Sequence, residues 1–76
     1  NWQFETSITK TQIIEAITQL PEKYRLVITL YLIEGYDHEE ISEILEINIK
    51  TSRTQLRRAK QQLQDLLKTR YNEARY

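Results

Sequence analysis

The stretch EGYDHEEISEILEINIKTSRTQLRRAK, from Glu34 to Lys60, decides the fold. Gly35 is the only glycine of the chain and follows a long apolar run, where a left-handed residue closes a helix without a Cβ clash. Asp37 then offers its carboxylate to the amide three residues on, and Glu40 can reach back, the reciprocal cap that starts a new helix. That helix is short, about 38 to 45, and its spacing predicts Ile41, Ile44 and Leu45 as buried. Glu46, Ile47 and Asn48 form a three-residue turn, and Asn48 caps a longer helix. The apolar stripe of that helix, Ile49, Ser52, Leu56, Ala59, Leu63 and Leu66, advances in steps of three and four. A short helix, a tight turn and a long helix make a helix-turn-helix, with the small Ala59 letting the two backbones cross closely and Ile47 plugging the turn.

Upstream, the run Leu26 to Ile33 is too apolar for a surface helix, so a helix from Glu22 to about Ile33 is expected at the centre of the domain. A buried strand is rejected because no partner strand exists elsewhere. Pro21 separates this helix from an earlier one, beginning near Thr9 or Thr11, with Ile13, Ile17 and Leu20 on one face; it can occupy the first turn of its successor, where its missing N–H costs nothing. Tyr24, Tyr31 and Tyr36 stand at helical spacings as core or core-edge residues, and Leu63, Leu66 and Leu67 pack back onto the first two helices. The reading is all-α: a four-helix domain ending in a helix-turn-helix with a long C-terminal recognition helix. Residues 1–8, with Trp2 and Phe4, read as a connector, 9–70 as the domain and 71–76 as a tail. The chain has no methionine, even at position 1, and is expected to be a piece of a longer protein.

Seventy-six residues form one domain with a thin stability margin. The absence of cysteine excludes disulfides and thiolate metal sites and fits a cytoplasmic setting. No stretch approaches the ~20 apolar residues needed to cross a bilayer, and no leader opens the chain, so no membrane partner is expected. Eleven basic and eleven acidic residues cancel, but they are not mixed. Between 34 and 46 the charges are Glu34, Asp37, Glu39, Glu40, Glu43 and Glu46; between 49 and 70 they are Lys50, Arg53, Arg57, Arg58, Lys60, Lys68 and Arg70 against Asp65 alone. Segregated charge makes a local field, and a phosphate backbone responds to the local field.

At about 100° per residue, Lys50, Arg53, Thr54, Arg57, Arg58 and Lys60 spread as one arc opposite the apolar stripe of the last helix. Arginine can grip guanine through O6 and N7, and threonine can reach a base edge, a thymine methyl or a phosphate. Lysines and outer arginines suit phosphates, which supply affinity without sequence information. The positive end of the helix adds to this near Asn48, Thr51 and Ser52. A basic face is often mere solvation, yet solvated helices tend to mix signs for pairs four apart, and no acid interrupts residues 50–60. The partner expected on this pattern is double-stranded DNA.

The sequence from Leu20-Pro21-Glu22 through Arg25, then Glu34-Gly35 through Glu39-Glu40-Ile41 and Ile44-Leu45, followed by Thr51-Ser52-Arg53-Thr54-Gln55-Leu56-Arg57-Arg58-Ala59-Lys60, resembles region four of sigma-70 family factors, particularly the extracytoplasmic-function group. The resemblance covers about residues 11–67. It implies a promoter-recognition domain that binds the duplex −35 element, docks on the β flap of RNA polymerase core and has an anti-sigma factor as a natural further partner. It also implies that Arg53, Thr54, Arg57 and Arg58 face the groove. Two positions depart from the family pattern: Glu46 replaces the turn glycine, which asks a non-glycine residue for a left-handed conformation, and Ser52 replaces a buried valine, with its hydroxyl expected to bond to a carbonyl one turn earlier.

The residues themselves leave two alternatives: the output domain of a response regulator, which shares this four-helix design, and a helical protein-interaction module whose basic face is only solvated. An enzyme is unsupported, since no nucleophile–base pair, phosphate loop or metal set can be assembled, and no cofactor is expected. His38-Glu39-Glu40-Ile41-Ser42 lacks the second histidine of a zinc-protease motif, and His38 reads as an exposed first-turn residue. The acidic cluster reads as a solvated face, helped by lying at a helix start.

Overall fold

A computed structural model describes residues 8–72, with side chains through Thr69; Trp2, Phe4 and residues 73–76 lie outside that range. Over the described residues the chain is helical and contains no strand. Helix α1 spans Lys10–Ile17. It opens on a capping box: the Gln12 amide donates to Thr9 Oγ1 at 3.2 Å, and the Thr9 amide donates to Gln12 Oε1 at 2.8 Å. Ala16, Ile17 and Leu20 are buried, and Ile8, just before the helix, packs half-buried against the same core.

Pro21 occupies the cap position immediately before α2 (Glu22–Ile28), one place earlier than the first helical turn expected for it. Its carbonyl accepts from the Tyr24 and Arg25 amides. Tyr24, Val27 and Ile28, spaced three and four apart, are the buried stripe of α2. The helix then widens into a π turn over Thr29–Ile33. Glu34 N donates to Thr29 O and Tyr36 N to Leu30 O, so the last carbonyls of the helix find partners as the chain leaves it. Gly35 follows at φ 81°, as the sequence requires.

Helix α3 spans His38–Leu45 and opens on the Asp37–Glu40 capping box, with Glu40 N 2.9 Å from Asp37 Oδ1 and Asp37 N 3.1 Å from Glu40 Oε1. Glu46 is left-handed, at φ 55° and ψ 47°. Its amide donates to Glu43 O and the Ile47 amide to Ser42 O, a Schellman closure built without glycine. Helix α4, Ile49–Asn72, begins where the Lys50 amide donates to Asn48 Oδ1 at 2.8 Å. Leu56, Ala59, Leu63 and Leu67 line its inner side.

Several expectations need correction. The centre of the domain is α4, which packs against α1, α2 and α3. Helix α2 and the π turn that extends it are apolar on more than one side, and Leu26 of α2 (45% exposed) and Ile33 of the π turn (40% exposed) face outward because Tyr24, Val27 and Ile28 already fill the core side. Ile44 is 49% exposed: Ile41 and Leu45 lie one turn apart and take the inner face of the two-turn α3, which leaves Ile44 at its edge. Tyr36 lies outside the core, whereas Tyr24 is buried and Tyr31 is at the core edge.

Candidate nucleic-acid interface

The corner between α3 and α4 is built from the asparagine cap, the Schellman closure, and the packing of Ile41 against the inner side of α4. The first three turns of α4 project outward from that corner. Lys50, Thr51, Arg53, Arg57 and Arg58 are exposed there, and Thr54 is half-covered. Lys50 and Thr51 stand in the first turn, where unpaired amides and the helix dipole make the field positive. From Lys50 to Lys60 the row extends about 15 Å at the rise of an α-helix, a length a major groove about 12 Å wide can receive end-on or obliquely.

Lys60 departs from the outward arc. It is half-buried, and its ammonium lies 5.4 Å from the centre of the Tyr31 ring, within cation–π range. The π turn carries that ring to the edge of α4. At the C-terminal end of the arc, Arg57, Arg58, Lys60, Gln61 and Gln64 line an open depression. Gln61 and Gln64 escaped the sequence reading, although their spacing of four and seven from Arg57 places them on the same face.

His38 and Ser52 also differ from expectation. His38 is half-buried, with its ring stacked on Tyr31 at 5.6 Å and 28°, and its Nδ1 lies 3.3 Å from Ser52 Oγ. Ser52 is fully buried, and its hydroxyl meets this imidazole instead of a carbonyl of its own helix. Burial, then the positive charges of Arg53 and Lys60, hold the imidazole pKa below the ordinary histidine value of 6.5, against a smaller opposing pull from Asp37. The acidic residues Glu34, Asp37, Glu39, Glu40, Glu43 and Glu46 are all exposed on α3 and its flanks, while the outward face of α4 carries no acid before Asp65.

The description "Sigma-70, region 4" fits residues 10–63, most of the chain. The chain belongs to the sigma-70 region 4 family. An ECF RNA polymerase sigma factor, SigE of Mycolicibacterium smegmatis, is similar, with 38% identity over 52 residues that make up 68% of this chain. The chain spans 20% of the length of that relative. Region 4 is a helical DNA-binding module of sigma factors, and the α3–turn–α4 corner is its helix-turn-helix. No helix among the described residues is long and apolar enough to cross a membrane, and no group of His, Asp and Glu among them is placed to hold a metal.

Proposed function

We propose that this region 4 domain reads the duplex −35 element of promoters for an alternative, extracytoplasmic-function sigma factor. Arg53, Thr54, Arg57 and Arg58 face base edges in the major groove. Lys50, Thr51 and Lys60 face phosphates, and Lys60 swings from Tyr31 to do so. The apolar side of the domain docks on the β flap of RNA polymerase core, and an anti-sigma factor competes for the domain in the cytoplasm. The observation that carries this reading is the row of exposed cations on a helix whose rotation the core fixes, with no acid on the outward face from Ile49 to Gln64. Family membership favours it over a response-regulator output domain.

The test is selection of preferred sequences from random duplex DNA, in the presence of the polymerase flap, followed by binding at several ionic strengths. Affinity falls steeply with salt, with a slope set by the phosphates engaged. Arg53→Ala and Arg57→Ala weaken the preferred duplex by roughly 1–3 kcal/mol and random duplex by less. Equal losses on both would show that these arginines touch only phosphate. A chain that binds no duplex at any salt, with or without the flap, would instead be a protein-interaction module.

A further inference from the structure

One junction in the fold is not explained by groove reading. Tyr31 of the π turn, His38 at the start of α3 and Ser52 in the first turn of α4 meet: the imidazole stacks on the phenol ring at 5.6 Å, and its Nδ1 lies 3.3 Å from the Ser52 hydroxyl. Ser52 is fully buried, and among the described residues its hydroxyl has this one side-chain partner. A buried hydroxyl holds its geometry only while that partner stays in place. The contact lies one residue from Arg53, in the turn of α4 that precedes the buried stripe beginning at Leu56, so a change at the junction shifts that first turn and the cations it carries. We propose that Tyr31, His38 and Ser52 form a latch that seats the first turn of the reading helix, with His38 as a positioning residue for sequence discrimination. The inference rests on duplex reading by α4.

The latch works with a neutral imidazole. Arg53 and Lys60 face His38 from α4, the Tyr31 phenol covers it from the π turn, and Asp37 is the acid that faces it from the start of α3. His38 also occupies the first position of α3, where the helix dipole disfavours a cation. A protonated ring can still donate from Nδ1 to Ser52 Oγ, but its charge is repelled by Arg53 and Lys60 and drawn toward Asp37, which displaces the ring from its seat. Phosphate contacts gain from the same charge. Lower pH thus erodes discrimination while leaving non-selective affinity intact or stronger.

The experiment uses the 76-residue chain with the polymerase flap present and two duplexes of equal length, a selected sequence and a random one, at fixed salt from about pH 8 to about pH 5.5, the range in which histidine titrates. The expected result is a roughly three- to tenfold fall in the affinity ratio toward acid, the worth of one hydrogen bond, with random-duplex affinity steady or rising. His38→Gln, which keeps a hydrogen-bonding side chain, retains most of the ratio and makes it flat with pH. His38→Ala and Ser52→Ala lower the ratio already at about pH 8. His38 is the sole histidine, so its NMR titration is unambiguous, and its midpoint lies below 6.5. Should the alanine variants unfold, His38→Gln and the NMR titration decide. A flat ratio in the parent chain, a His38→Gln ratio with the parent's pH dependence, or a midpoint at or above 6.5 overturns the latch alone. A parent chain that prefers no duplex at any pH overturns the reading of α4, and the latch with it.

Discussion

Glu46→Gly is expected to stabilise the domain, and the magnitude follows from one backbone torsion pair. Glu46 sits at φ 55° and ψ 47°, where an L-residue's Cβ crowds the following carbonyl at a cost of about 1–2 kcal/mol. Glycine removes that crowding but gives up about 0.5–1 kcal/mol of extra chain entropy on folding. The difference favours glycine by up to about 1.5 kcal/mol, or as much as roughly 12 °C in Tm for a domain this size. The Schellman bonds run through main-chain atoms, from the Glu46 amide to Glu43 O and from the Ile47 amide to Ser42 O, so they survive the change. Glu46 also carries charge on an acidic helix, and its removal alone could raise Tm. Glu46→Ala separates the causes, because alanine removes the carboxylate and keeps the Cβ. Thermal melting followed by far-UV circular dichroism should rank Gly above both Glu and Ala. Equal gains for Gly and Ala would refute the strain argument and assign the effect to charge.

Leu63 is fully buried midway along α4, so Leu63→Ala should cost about 2–5 kcal/mol, a large share of the roughly 4–11 kcal/mol typical of 76 residues; urea unfolding with an unchanged m-value checks this, and a loss under about 1 kcal/mol would contradict the packing. Asp37→Ala breaks the α3 capping box and should cost about 0.5–2 kcal/mol, with Asp37→Asn costing less; equal unfolding midpoints for the two variants would show that the cap contributes through charge or not at all. The folded pKa of His38 lies below its unfolded value, so the unfolded chain binds more protons and stability is lost as pH falls through 6.5 toward the folded pKa. Tm should therefore drop between about pH 7.5 and about pH 5.5, and His38→Gln should flatten that drop; a Tm that rises toward acid in the parent chain would reverse the sign of the argument.

Local rules with a single backbone solution were legible in the sequence. The lone glycine after an apolar run, Asp37 three residues before Glu40, and Asn48 before Ile49 each satisfy helix-end groups through neighbours two to four residues away, and each occurs where expected. The positive φ at Glu46 was legible only through the family resemblance, which places a glycine at that turn position. Hidden features depend on residues far apart in sequence. The π turn inserts one residue's worth of rotation into an apolar run with no glycine or proline to mark it, and that rotation places Tyr31 against His38 and Lys60. His38 and Ser52 are fourteen residues apart, so neither the burial of one nor the partner of the other follows from local spacing. Ile44 was misread because two turns of helix supply too few positions for a period to tell edge from face.

The same coupling explains how a chain with no net charge can present a field to DNA. The direction of Arg53 and Arg57 is fixed by Leu56, Ala59, Leu63 and Leu67 on the opposite side of the same rod, because a helix cannot turn its outer face without turning its inner one. The compensating acids sit on α3 and its flanks, where Asp37 and Glu40 are held in a cap and Glu39 lies in the first turn, near the positive end of a helix. A helix of the same composition with its acids interleaved four residues from its cations would pair them internally and offer phosphates little. Net charge is thus the wrong variable for this domain. What a duplex meets is the part of the charge that the core holds outward, and that part is uniformly positive or neutral from Ile49 to Gln64.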